Sequence, residues 1–286
     1  MFTHLTGHTG FIGQHLLKML GNSAVGINLR ASAEVSLQAG DALVHLAGKA
    51  HDLNNTSKAA EYFEVNTALT AKVFDQFLAS PASVFVFLSS IKALEGQQAK
   101  ASAYSQSKYQ AEQYILSKKI PEGKRVYILR PVMVHGPGNK GNLNLLFKVV
   151  QKIAIWPLAA FENQRSFVSV ENLCFIIQEI IRNPLLPSGT YTVADPKTFS
   201  TNELVYMAGE ALGKKVWFLK LPKKLVIFIA AVGDLLGLPL NKDRLEKLTE
   251  NAVFDGAEIV KLLGKPLPLE AQAGFEKTFK SFFKND

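Results

Sequence analysis

Phe2-Thr3-His4-Leu5-Thr6-Gly7-His8-Thr9-Gly10-Phe11-Ile12-Gly13 opens the chain, and a second apolar run, Ala24-Val25-Gly26-Ile27-Asn28-Leu29, follows ten residues later. Phe2 to Thr6 is a short run stopped by glycine, which predicts a strand. Phe11 to Leu20 carries apolar residues at helical spacing and stops at Gly21, which predicts a helix. Ala24 to Leu29 predicts a second strand. Strand, helix and strand in that order form the unit from which parallel sheets are built, because a parallel neighbour is reached only through a crossover. Gly7, Gly10 and Gly13 sit at the strand-to-helix turn. Glycine there lets the backbone turn tightly and lets an anion approach the helix N-terminus, where unpaired N–H groups and the dipole favour negative charge.

The alternation continues outward. Ala42 to Leu46 reads as a third strand, and a helix from Lys58 to Leu78 leads through Pro81 to a buried strand, Ser83 to Leu88. A helix carrying Tyr104 follows, then a strand from Arg125 to Leu129 stopped by Arg130-Pro131. This is the pattern of an α/β protein with a doubly wound parallel sheet covered on both faces. Only ten residues separate Arg30 from Asp41, too few for a helix, another strand and the return crossover, so one strand found in many such sheets is missing. After His135-Gly136-Pro137-Gly138 the pattern loosens, with helices near Asn144 to Lys152, Asn202 to Leu212, Lys223 to Leu236 and Glu270 to Phe283. The expected division is a nucleotide-binding domain of residues 1–138 plus 165–195, and a smaller, mainly helical substrate lobe of 139–164 plus 196–286.

A chain of 286 residues can bury a full core, and its formal net charge is +8. The lysines are scattered, with no basic stripe interleaved with aromatics, so the charge is read as a solvated surface with room for an anionic small ligand and not as a nucleic-acid site. The single cysteine, Cys174, lies in an apolar run and reads as a core residue. With no charged-then-apolar opening segment, the expected compartment is the cytoplasm. The apolar run Leu225 to Val232 is too short to span a bilayer. Resting on a membrane surface is the lesser alternative to its reading as a buried helix of the smaller lobe. The six histidines show no metal-ligand spacing tied to carboxylates, so no metal is expected.

Tyr104 and Lys108, in Ala103-Tyr104-Ser105-Gln106-Ser107-Lys108, share one helix face at i and i+4, where an ammonium can stabilise a phenolate. Such pairs arise by chance roughly 0.6 times in a chain of this composition, and Tyr114 with Lys118 is a second one. Position distinguishes the first, since Ser90 precedes it at a strand end. At the other end of the site, the glycine spacing of three and three differs from the two-then-three of the Rossmann fingerprint, and the second strand ends in Asn28 and Arg30 where an acid would grip the 2′-hydroxyl of NAD. Without that carboxylate a 2′-phosphate is not repelled, and Arg30 can pair with it, which favours NADP over NAD. A solvated strand-end arginine is the alternative.

With these glycines, Asp41-Ala42-Leu43-Val44-His45-Leu46-Ala47-Gly48, Asn66, Phe87-Leu88-Ser89-Ser90, Tyr104 to Lys108, Leu129-Arg130-Pro131 and Arg165-Ser166-Phe167-Val168-Ser169-Val170-Glu171, the chain resembles the extended short-chain dehydrogenases/reductases. Within them it is similar to the nucleotide-sugar epimerase/dehydratase family. The resemblance implies a Rossmann-type domain, with Tyr104 as proton donor or acceptor, Lys108 on the nicotinamide ribose and lowering the phenol pKa, and Ser90 on the reacting sugar oxygen. It gives Gly7, Gly10, Phe11, Ile12 and Gly13 to the pyrophosphate, Ala47 and Gly48 to the adenosine side, Asn66 to the vicinity of the cofactor, and Pro131 to the nicotinamide wall. Arg165 and Arg244 would neutralise a nucleotide diphosphate, and a homodimer through the Lys58 and Tyr104 helices would follow family habit. Two departures bear on function. The short Arg30 to Asp41 link lacks the family's adenine-holding segment, and Ile91-Lys92 stand where its dehydratases carry an Asp-Glu pair. The expected function is therefore NADPH-dependent reduction at C4 of a nucleotide-linked 4-keto-6-deoxyhexose. The alternatives are an NAD-dependent 4-epimerase and, from a different class, a catalytically silent dinucleotide sensor.

Overall fold

The computed structural model describes residues 2–29, 35–49, 58–139, 141–237 and 240–283. The opening stretch folds as β1 (Thr3–Thr6), α1 (Phe11–Leu20) and β2 (Ala24–Ile27). β3 (Ala42–His45) precedes a composite helix, in which α2 (Ala59–Tyr62) passes through a π-helical turn, Phe63–Ala68, into α3 (Leu69–Ala79). β4 (Val84–Leu88), α4 (Ala103–Ser117) and β5 (Arg125–Pro131) follow. Next come β6 (Met133–His135), α5 (Asn142–Lys152), β7 (Ile155–Trp156), β8 (Phe167–Ser169), α6 (Val170–Arg182) and β9 (Gly189–Val193). α7 (Thr201–Ala211), β10 (Trp217–Phe218), α8 (Lys223–Leu236), α9 (Lys242–Thr249), α10 (Ala257–Leu263) and α11 (Ala271–Phe282) complete the chain.

The contacts divide the chain into two compact units, 1–132 with 170–194 and 255–268, and 133–169 with 195–254 and 269–286. The boundaries differ from those expected from sequence. Residues 133–138 and 165–169 belong to the second unit because β6 pairs with β8 there. Residues 255–268 return to the first because α10 packs on β9 and α6.

The first unit holds a six-stranded sheet, ordered β2-β1-β3-β4-β5-β9 and parallel throughout. Every residue of β3 and β4 is buried, as strands covered on both faces require. Leu43, Phe85, Phe87 and Ile128 form one core with Phe74 and Phe77 of α3 and Ala111 and Ile115 of α4. Chain order reverses between β1 and β3, and in sheets of this kind ligands bind outside the carboxyl ends of the strands at that reversal. β2 is the sheet edge: among the described residues no strand lies beyond it, in keeping with the short link before Asp41.

The second unit is built on an aromatic core in which Phe275 stacks on His135 at 4.0 Å and meets Phe199 at 4.9 Å. α8 departs from the buried helix expected of its sequence. Only the narrow stripe of Val226, Ala230 and Gly233 is buried, while Phe228 is 65% and Leu235 86% exposed. Apolar composition over the whole circumference does not reveal which face the fold covers.

Candidate active site

Gly7 follows β1 in the left-handed region, at φ 68°, and a Cβ there would lie 2.6 Å from the Ala47 nitrogen. A Cβ on Gly13 would stand 2.3 Å from the Gly7 carbonyl oxygen, so only glycine lets the first turn of α1 close on the loop. α1 begins at Gly10 with no side-chain cap and no acidic residue in its first turn. Such a helix start leaves backbone N–H groups for an anion. Gly7, Gly10, Phe11, Ile12 and Gly13 thus form one turn whose shape and polarity fit a pyrophosphate.

α4 carries the polar half of the site. Its burial pattern breaks the apolar rule, with Ser105, Ser107, Lys108 and Glu112 all buried. The Ser102 hydroxyl caps the helix by accepting from the Ser105 amide at 3.1 Å, which fixes the turn that holds Tyr104. Tyr104 hydrogen-bonds Ser90 side chain to side chain, and its ring meets Tyr62 edge-on at 6.1 Å. Lys108 donates to the Leu88 carbonyl at 2.9 Å and stands 4.9 Å over the Phe87 ring.

Asn66 lies in the π-helical turn and is fully buried. Its amide clamps Lys49, accepting from the Lys49 N–H at 2.7 Å and donating to the Lys49 carbonyl at 3.1 Å. It also donates to the Ser107 hydroxyl at 3.0 Å, and Thr67 donates to the Ser107 carbonyl at 2.9 Å. The loop after β3 is thereby tied to α4. A Cβ on Gly48 would sit 3.2 Å from Lys108 Nζ, so Gly48, Asn66 and Lys108 converge on one point.

Burial is the main electrostatic influence here. It lowers Lys108 to about 8, with Glu112 opposing the shift. Burial also raises Tyr104 above the ordinary phenol value, the Ser90 hydrogen bond pulling the other way. The shift favours the protonated phenol at neutral pH. His45 is held neutral, at about 3, by burial and by the Lys108 charge, between the Thr6 hydroxyl at 2.7 Å and the Thr70 hydroxyl at 3.0 Å.

A model of the NAD dependent epimerase/dehydratase family matches residues 4–194. The chain belongs to that family. It is 31% identical to a UDP-glucose 4-epimerase of Vibrio cholerae, over 98% of this chain and 95% of that protein. Among solved structures, RMD from Pseudomonas aeruginosa complexed with NADPH superposes with a TM-score of 0.70 at 17% identity, covering 99% of both chains. MoeE5 in complex with UDP-glucose and NAD superposes with a TM-score of 0.71 at 18% identity, over 100% of this chain and 99% of that one. This family member is accordingly an NAD(P)-dependent enzyme of the short-chain dehydrogenase/reductase superfamily with the Rossmann-type fold.

The structure brings Ser90, Tyr104, Lys108, Gly48 and Asn66 together in the first unit, and Pro131 ends β5, paired with Val193. Arg30, on which the preference for NADP rested, lies outside the described residues. In the second unit Arg165 donates to the Lys247 carbonyl of α9 at 2.6 Å, and exposed Arg244 stands on the same helix. Tyr114 and Lys118, the chance pair, stay on the surface, where Tyr114 donates to Asp75 at 2.6 Å.

Sequence reading missed the support beneath the site. Fully buried Glu112 takes Arg130 through three contacts of 2.5 to 3.1 Å and also accepts from the Ser89 hydroxyl. Its signal was present, since Glu112 is four residues beyond Lys108 on one helix face and Arg130 lies in the Leu-Arg-Pro motif. Tyr62, edge-on to Tyr104, carried no comparable signal.

Proposed function

We propose that this enzyme reduces the C4 ketone of a nucleotide-diphosphate-linked 4-keto-6-deoxyhexose. Bound NADPH supplies the hydride that forms the new C4–H bond. Tyr104 gives its proton to the carbonyl oxygen, Ser90 hydrogen-bonds that oxygen, and solvent restores the phenol. Lys108 holds a positive charge near the phenolate that results and reaches the ribose on the nicotinamide side, with Asn66 beside it. Arg165 and Arg244 neutralise the diphosphate of the sugar nucleotide.

The observation that carries this reading is the hydrogen bond between the Tyr104 and Ser90 side chains, with Lys108 one turn along α4. A phenol beside a serine and an ammonium can give its proton to a carbonyl oxygen as a hydride arrives. Two features agree. β2 is the sheet edge with Asn28 beyond it, which supports a cofactor held lightly enough to exchange. Ile91 and Lys92 after Ser90 supply no acid–base pair for eliminating water.

A 4-epimerase is the second reading, favoured by the identity to the Vibrio cholerae enzyme. It would use the same groups twice, oxidising C4 and reducing it from the other face. Native mass spectrometry of the purified protein followed by titration with NADPH and NADH separates the two. Reduction predicts an empty protein preferring NADPH and consuming it stoichiometrically on a UDP- or dTDP-linked 4-keto sugar. Retained NAD, with interconversion of two sugars and no net cofactor use, refutes it in favour of epimerisation.

A further inference from the structure

α8 is apolar around its whole circumference but packs against its own unit along one stripe only. Val226, Ala230 and Gly233 turn inward, and Phe228 and Leu235, some 180° round the helix, are 65% and 86% exposed. Leu225 and Leu236 widen the outer face at 45% and 64% exposure. Trp217, in β10 just upstream, is 60% exposed. A solvent-facing helix surface of this kind asks for a cover.

Charge names the cover. Lys215, Lys220, Lys223 and Lys224 cluster in and just before α8, Lys214 being engaged with the Val150 and Gln151 carbonyls, and no acidic residue occurs between Glu210 and Asp234. A second copy is a poorer fit, because it brings a second set of lysines and, on α8, only Asp234 to match them. Fourteen residues reach about 21 Å along a helix, short of the roughly 30 Å hydrocarbon core, so α8 can lie along a bilayer but not cross it. Exposed leucines and phenylalanine on one face, with lysines at its N-terminal end and an exposed tryptophan upstream in β10, are the composition that settles in the headgroup layer of anionic lipid. From this geometry we infer that the outer face of α8, with Trp217, docks the enzyme on the surface of a membrane containing anionic phospholipid.

The test uses the full-length protein and vesicles of phosphatidylcholine with or without one third of phosphatidylglycerol. At low salt the protein should float with the anionic vesicles and bind neutral ones at least about tenfold more weakly. Its tryptophan emission should shift to the blue. The chain has two tryptophans, and Trp156 is only 3% exposed, so the shift reports Trp217. F228S/L235S should cut vesicle binding by about tenfold or more while leaving circular dichroism and cofactor titration unchanged, since neither side chain supports the core. K220E/K224E should weaken binding to anionic vesicles alone. Absence of binding to anionic vesicles at low salt overturns the inference. So does a concentration-dependent dimer that F228S/L235S dissolves, which would make the patch a self-contact.

Discussion

Replacing Lys108 by methionine should stabilise the protein while destroying its activity. Burial lowers the ammonium from 10.5 to about 8, a shift equivalent to about 3 kcal/mol of unfavourable charge burial at neutral pH. Methionine fills the same space without the charge, but it leaves the Leu88 carbonyl without its 2.9 Å donor, a loss of about 1–2 kcal/mol. The cofactor-free Met variant should therefore be more stable by about 1–2 kcal/mol at pH 7, a rise of about 4 °C in Tm. The sign follows from proton uptake. Between about 8 and 10.5 the unfolded lysine binds a proton that the folded one has lost, so the wild type gains stability as pH rises through this window. The advantage of Lys108→Met should shrink over that range and vanish or reverse near its upper end. Urea unfolding of both proteins at several pH values measures this directly. A Met variant less stable than wild type at pH 7, with a difference that does not change with pH, would refute the claim that the site confines an unfavourably buried charge.

Tyr104→Phe should lower turnover by about a thousandfold with cofactor affinity little changed, and Ser90→Ala by about ten- to a hundredfold, both read by single-turnover kinetics. Reductive kcat/KM of the wild type should hold level through neutral pH and fall above about 8, as Lys108 loses its proton. Glu112→Ala leaves Arg130 without its carboxylate and should cost about 3–5 kcal/mol, measured by denaturant unfolding. His45 and His135 are both held at about 3 by burial, so the unfolded chain alone takes up their protons as pH falls from 6.5. Each should remove about 2 kcal/mol of stability by pH 5, and His135→Phe should abolish its share in a comparison of unfolding at pH 7 and 5.

The first unit was legible in sequence because its signals are local. Glycine at 7 and 13 reports a backbone that admits no Cβ, and the buried runs in β3 and β4 report a sheet covered on both faces. The parallel sheet and its missing strand followed from those runs and the short link before Asp41, whereas the order of the six strands came only with the structure. The rest depends on contacts far apart in sequence. β6 and β8 are three residues each and pair across 31 residues, too little for periodicity to register. Phe-Glu-Val-Asn-Thr-Ala gives no sign that its turn is π-helical rather than α-helical. The raised phenol of Tyr104 was illegible for a related reason: residue spacing places Lys108 on the same face, but the burial that raises the phenol comes from the folded chain.

The π-helical turn at Phe63–Ala68 has a genetic consequence. Before it, Tyr62 faces Tyr104 and Glu61 pairs with Lys49. Within it, Asn66 and Thr67 grip α4, and after it Phe74 and Phe77 dock on the sheet. An uninterrupted α-helix turns about 100° per residue and has one phase, whereas the wider turn joins two. Deleting a single codon, for example that of Val65, would let the ladder close as ordinary α-helix and put the two halves out of step. With α3 held by the sheet, Tyr62 and Glu61 would swing away from their partners. That helix should therefore tolerate many substitutions of its exposed residues but no change of length.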